Sequence, residues 1–256
     1  MMRNIFIMVA LIVALTINAT ERNYQKEAIE AYNSKNYPAA IEAYDSLMKQ
    51  GVSSELYYNL GNCYYRSGNK GMAVLYYEKA LKLEPDNRMA QANLNFIHTK
   101  LIDPYAAEEN IIVVGYRSVR NWLSSSGWTI AGMVFFALFI LALGLYMFAS
   151  SIIVRKSGFF GGFAMLALCI AANVIAADAE SVRTSTDYAV VVCDTVQLST
   201  VSHIPNTDAE KAFVVHEGAK LKKLDSVKVG NKASWYKVVT VDNREAWVNA
   251  AAVAEI

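Results

Sequence analysis

Excess charge is what this sequence most plainly lacks. Lys and Arg number 24, Asp and Glu 23, for a net charge of +1. No basic run exceeds two residues, so the electrostatic footprint that nucleic acid demands is absent. Cysteine and histidine are equally sparse. Cys63, Cys169 and Cys193 form no CxxC, and His98, His203 and His216 are scattered, so no metal-ligand spacing exists. Cys63 and Cys193 fall in different segments. They could pair outside the cytoplasm, but unpaired packing in apolar surroundings is the expectation. The signatures of catalysis are missing too. Gly158-Phe-Phe-Gly-Gly belongs to an apolar stretch rather than to a phosphate loop, and His216-Glu217 lacks the second histidine of HExxH. No GxSxG or Cys/His arrangement occurs. Asp and Glu spread over solvated faces and read as surface charge. The expectation is a protein that is not an enzyme, with no cofactor and no metal.

What the sequence does have is a long charge-free stretch, 129–154, followed after Arg155, Lys156, Ser157 and Gly158 by another, 159–177. At roughly 1.5 Å per residue the first reaches about 39 Å as a helix, enough to cross a hydrocarbon core of about 30 Å with tilt. Residues 128–177 therefore read as a two-helix transmembrane hairpin turning at 155–158, with the flanking segments on one side. Residues 1–19 have the layout of a signal peptide: Arg3, an apolar run from Ile5 to Ile17, then Asn18-Ala19. Ile17 is large for the position before a cleavage site, which leaves an uncleaved anchor as the alternative. Either form sends the chain after about residue 20 across the membrane. Arg155 and Lys156 mark the turn as cytoplasmic, although Arg117, Arg120 and Arg183 flank the spans on the other side. In the linker 105–127, Ile112, Tyr116, Val119 and Leu123 recur at helical spacing, as in an amphipathic helix lying in the interface, where arginines snorkel.

Between these segments the chain repeats itself. Ala40 and Tyr44 recur 33 positions later as Ala73 and Tyr77. From Ser54 to Asn87 the order Tyr57, Leu60, Gly61, Tyr64, Ala73, Tyr77, Ala80, Pro85 is that of a tetratricopeptide repeat. Small residues let two antiparallel helices approach, large ones fill the gaps, and the proline stops the second helix. A looser unit begins near Glu21, where Tyr24, Ala28, Ala40, Tyr44 and Leu47 fit and Glu27 replaces an apolar residue. A further helix over 88–101 reads as a cap. Residues 20–104 are thus an all-α solenoid of about two repeats plus a capping helix. So short a solenoid is marginal, because each unit buries its apolar face on a neighbour. It is expected to pack on itself, on the membrane-proximal helix or on a partner. Most of the 15 tyrosines fall here. Glu55, Tyr58, Asn62, Tyr65 and Arg66 share one face of the first helix of the second repeat and form the candidate groove for a protein partner. Asn59 and Asn62 are present, but Gln25 and Met89 stand where a carboxylate clamp has lysines, so clamping of a carboxyl terminus is not expected.

Residues 178–256 change to short β-rich runs at 188–193, 212–215, 220–224, 235–241 and 246–248, separated by turn residues such as Gly218 and Gly230-Asn231. Five strands in so short a segment predict a small all-β barrel. The succession from His216 through Leu221, then Trp235-Tyr236-Lys237-Val238, then Glu245-Ala246-Trp247-Val248, resembles a bacterial SH3-like domain. Ala246 departs from that family in replacing the usual glycine. Trp235, Tyr236 and Trp247 are the candidate ligand site, against the alternative that a tryptophan is simply core.

The whole order is that of a multidomain membrane protein: signal, repeat pair with LYYNLGNCYYRSGNKGMAVLYYEKALKLEPDN, apolar hairpin, then FVVHEG, WYKV and EAWV. It resembles the BatE family, the tetratricopeptide proteins of Bacteroides-type aerotolerance (Bat) operons. The resemblance implies an inner-membrane protein with both soluble domains in the periplasm and a link to oxidative-stress tolerance. It implies partners among other Bat membrane proteins, some with von Willebrand factor A domains, and a MoxR-type ATPase encoded nearby. Two functions are carried forward: a membrane-anchored scaffold acting through the repeats, and a peptidoglycan-binding module acting through the barrel. A sensor acting through Cys63 or Cys193 is a weaker third.

Overall fold

The computed structural model describes residues 24–103, 111–229 and 232–256. The expected signal at 1–19, both ends of the expected repeat segment (20–23 and 104) and the start of the linker, 105–110, lie outside them. The described residues divide into two compact units, one drawn from 24–81, 87–103 and 186–256, the other from 82–86 and 111–185.

The first unit begins with five helices: α1 (24–33), α2 (Tyr37–Met48), α3 (Ser54–Arg66), α4 (Lys70–Leu83) and α5 (Arg88–His98). Their starts are written in the sequence. Asn36 Oδ1 accepts from Ala39 N, Ser53 Oγ from Leu56 N, and Asn87 Oδ1 from Ala90 N, each satisfying a helix-end donor. At the end of α3, Gly68 takes φ +92° while its neighbours bond back to Cys63, Tyr64 and Tyr65, a left-handed cap that glycine adopts without strain. Buried Ser54 ties three elements: its hydroxyl donates to Ala80 O (3.0 Å) and accepts from Asn87 Nδ2 (2.9 Å). One core lies between α1, α2 and α3, around Ala28, Ala40, Tyr44, Leu60 and Cys63.

The same unit ends with seven strands: β1 (Tyr188–Val191), β2 (Thr195–Ser199), β3 (Lys211–His216), β4 (Lys220–Val229), β5 (Lys232–Val239), β6 (Glu245–Asn249) and β7 (Val253–Glu255). They form one antiparallel sheet in the order β3-β2-β6-β5-β4-β1-β7. The five expected strands are all represented; β2 and the three-residue β7 are additional. The result is a small β domain with its own core around Leu198, Leu221, Val238 and Val248.

The repeats do not end in solvent. The second helical core, built on Val74, Leu75, Tyr77, Leu94 and Ile97, takes in Val190, with Val192, Ala254 and Ile256 packed against it. β1 is therefore buried on both faces: Ala189 and Val191 enter the β core, and Val190 enters the helical one. Polar contacts frame this seam. The Glu217 carboxylate accepts from the backbone N–H of Lys70 (3.1 Å) and of Gly71 (3.3 Å), at the positive end of α4, and pairs with Lys70 Nζ (3.1 Å). Lys220 pairs with Glu78 at 2.8 Å, and His216 donates its backbone N–H to Asp103 at 2.5 Å. Of the three neighbours expected to cover the short solenoid, none was the carboxyl-terminal segment, yet that segment covers it.

The second unit holds α6 (Ile111–Arg120), α7 (Ser125–Phe148) and α8 (Ile152–Thr184). α7 and α8 are long and apolar enough to cross a membrane. They pack through small residues: a Cβ on Gly158 would stand 2.7 Å from Ala142 O, so only glycine permits this approach of the backbones. The connection comprises residues 149–151 rather than the expected 155–158. Arg155 and Lys156 lie in the opening turns of α8, because a helix end carries basic side chains without breaking. The second helix accordingly starts earlier and ends later than the charge-free stretch 159–177.

Candidate functional site

α3 projects Tyr58, Asn62, Tyr65 and Arg66 into one cavity of about 350 Å³, completed by Tyr32 from α1, Tyr77 from α4 and Asn93 and Phe96 from α5. Glu55 lines a second cavity of about 270 Å³ with Ile29, Tyr44 and Asn59; Tyr32 and Asn62 belong to both. The structure thus gathers all five expected groove residues into two cavities joined at Asn62.

The floor is a fixed polar network. The Tyr77 hydroxyl donates to Asn62 Oδ1 at 2.6 Å, and Asn93 Nδ2 donates to the same oxygen at 2.8 Å and lies 3.3 Å from the Tyr77 hydroxyl. With Oδ1 doubly engaged, Asn62 has its Nδ2 hydrogens to offer a ligand, while Asn93 has its Oδ1. A donor beside an acceptor matches the C=O and N–H of a peptide. Burial raises the Tyr77 phenol well above its ordinary range, so the hydroxyl stays a donor. Tyr44 beneath the neighbouring cavity is pushed up to about 12, chiefly by burial and further by Cys63 and Glu55.

The walls are aromatic and cationic. Tyr65 meets Phe96 edge-on at 5.9 Å, and Tyr58 lies 6.0 Å from the Tyr77 ring. Lys100 places Nζ 4.2 Å from the Phe96 centroid and 3.2 Å from the Tyr65 hydroxyl. Arg66 is exposed and bonded to the Tyr32 side chain, which favours its charged form. Tyr32, Tyr77, Asn93, Phe96 and Lys100 were not among the expected groove residues. Helical spacing on α3 alone cannot reach them, because they arrive from α1, α4, α5 and the turn that follows α5.

The expected site on the β domain is only partly assembled. Trp235 is paired with Asn249 and Trp247 with Lys237, which puts both tryptophans on one face of the sheet. Tyr236 points to the other, packs on the β core and donates its hydroxyl to Glu255 at 2.8 Å. Alternation along a strand separates neighbours, so Trp235 and Tyr236 cannot line one ligand site. The three cysteines are unpaired. Cys63 is fully buried and its thiol is pushed up to about 12 by that burial, the opposite of what a reactive sensor needs.

The family model of the tetratricopeptide repeat matches residues 54–87, which contain α3 and α4. The photosystem I assembly protein Ycf3 of Synechococcus sp. (strain CC9605) is 25% identical over 140 residues, covering 44% of this chain and 81% of that protein. A tetratricopeptide repeat is present, and with this similarity it points to a non-catalytic adaptor that binds protein partners.

Proposed function

We propose that this chain is a membrane-anchored scaffold that holds a protein partner, as an extended peptide segment, in the groove between α1, α3 and α5. The observation that carries this is the preset Asn62–Tyr77–Asn93 network flanked by Tyr58, Tyr65, Phe96 and Arg66: peptide-complementary polarity between aromatic walls. The similar cyanobacterial protein is named for assembly, which agrees with a partner-holding role. The hairpin α7–α8 crosses the inner membrane, and both soluble segments face the periplasm. The signal-like start supports that orientation, and the seam between repeats and β domain supports one shared side. The partner belongs to a Bat-type aerotolerance complex, on the BatE-like order of segments, with von Willebrand factor A membrane proteins as the first candidates.

Alanine at Tyr58, Tyr65 and Arg66 together should abolish partner capture while leaving the helical circular dichroism signal intact. A photoreactive residue at Tyr65, irradiated in intact membranes, should yield an adduct with a defined membrane protein. Undiminished capture by the triple variant removes the groove from the account.

A second reading rests on the shared face of Trp235 and Trp247, both half-exposed on an SH3-like domain: recognition of peptidoglycan. Photoreactive substitution of Trp247 separates the two. Muropeptide adducts there, with none at Tyr65, would make the β domain the working end.

A further inference from the structure

We infer that α6 is an interfacial helix whose partner is the bilayer itself, at the boundary between acyl chains and headgroups. This rests on the reading that α7 and α8 cross a membrane. No residue of α6 is buried, and Ile112 and Val119 are 76% and 47% exposed. A ten-residue helix is marginal in water, so an apolar phase must cover it for it to persist. Its place is fixed by hydrogen bonds to the hairpin. Asp178 Oδ2 accepts from the Tyr116 hydroxyl at 2.9 Å and from Arg120 at 3.4 Å, and the Arg120 carbonyl accepts from Trp128 Nε1 at 2.9 Å.

These anchors define a depth. Asp178 is the first charged residue after the charge-free stretch of α8, and Trp128 lies in the first turn of α7, just before the run 129–154. Both mark where the hairpin leaves hydrocarbon. A helix tied to both levels lies along that boundary rather than across it. Within α6, Ile112 and Val119 share one arc, next to the arc of Tyr116 and Arg120 that meets Asp178, while Arg117 and Ser118 lie on the opposite side with Val114 between them. On the hairpin itself Phe136 and Ile140 are also exposed apolar side chains, and the phase that covers them is the one that would cover Ile112 and Val119. Trp122, Tyr116 and the arginines are the residue types that favour the headgroup level.

The test uses the full chain in phosphatidylcholine vesicles, with lipid brominated either near the headgroup or near the chain end to quench tryptophan. Reporters are Ile112→Trp and, as a control for crossing, Ile140→Trp, each in a Trp122→Phe background whose own signal is subtracted. The expected result is loss of Ile112→Trp fluorescence mainly to the shallow bromines, and of Ile140→Trp fluorescence mainly to the deep ones. If Ile140→Trp is quenched but Ile112→Trp by neither lipid, the inference fails and crossing stands. Blue-shifted emission would then assign α6 to a protein partner, and red-shifted emission to water. Deeper quenching at 112 than near the headgroup makes α6 a buried segment and also overturns it. An unquenched Ile140→Trp removes the crossing and the inference together.

Discussion

Gly61 has no side chain because Tyr77 takes that space. A Cβ there would stand 2.6 Å from Tyr77 Cε1 and 2.7 Å from Cδ1. The ring cannot retreat, since Tyr77 is almost fully buried and its hydroxyl is held by Asn62. Gly61→Ala should therefore destabilise the first unit by about 1–3 kcal/mol through overpacking and loosen the groove floor; an unchanged melting temperature in detergent would contradict this. Ionisation offers a second check. The fold holds the Cys63 thiol and Tyr44 phenol protonated to about 12, against ordinary values of 9.0 and 10.0, mainly through burial. Below about pH 9 folded and unfolded chains keep the same protons here, and this part of the stability is intact. From about 9 up to about 12 the unfolded chain loses them first, so stability falls as pH rises. The urea midpoint should drop between about pH 8 and about pH 10.5, and the drop should shrink in Cys63→Ala. An equal drop in that variant would exclude a contribution from the thiol. Of the groove, the α3 residues were legible from spacing alone. Asn93 and Phe96 were not, because a residue's facing depends on how its helix docks.

Among elements, α4 and β1 explain why the repeats and the β domain form one unit. α4 buries Val74, Leu75, Tyr76 and Tyr77 in succession, so it is covered nearly all round. β1 buries an unbroken apolar run from Ala189 to Val191, the pattern of a strand buried on both faces. Both signals lie in the sequence, but neither names the other as partner; local periodicity encodes that a face is covered, not by what. The strands around Trp235 and Trp247 were legible from alternation and turn residues. β7 was not, since three residues hold no period. Gly71 is the contact at which α4 and β1 can be separated. Its Cβ would meet the Val191 carbonyl oxygen at 2.7 Å, a backbone atom that has no rotamer to yield. Gly71→Ala should weaken the seam by about 1–3 kcal/mol, seen as faster hydrogen exchange in α4, β1 and β7. Gly51, with nothing within 4 Å of the same position, supplies the control, Gly51→Ala. Equal exchange in the two variants would mean that the seam is not held at Gly71.

At the scale of the molecule, the seam constrains how the chain can be threaded through a membrane. α4 and α5 precede the hairpin in sequence, and β1 and β7 follow it, yet Val190, Ala254 and Ile256 share a core with Leu94 and Ile97. Such a core cannot form with a bilayer between its halves. If the chain meets a membrane between residues 103 and 188 it must cross an even number of times, and α7 and α8 are two helices long and apolar enough to do so. Flanking charge gives no such constraint, because it is divided: Arg155 and Lys156 at one end of the hairpin, Arg117, Arg120 and Arg183 at the other. Exposed reporters make it measurable. Lys26→Cys on α1 and Lys228→Cys on β4 should both react with a membrane-impermeant maleimide added outside intact spheroplasts, above the labelling of the parent chain. Ser150→Cys, in the connection between α7 and α8, should react only after permeabilisation. Protection of all three until permeabilisation would reverse the orientation and keep the seam. Labelling of Lys26→Cys and Lys228→Cys from opposite sides would break the seam itself, and with it the packing that completes so short a solenoid.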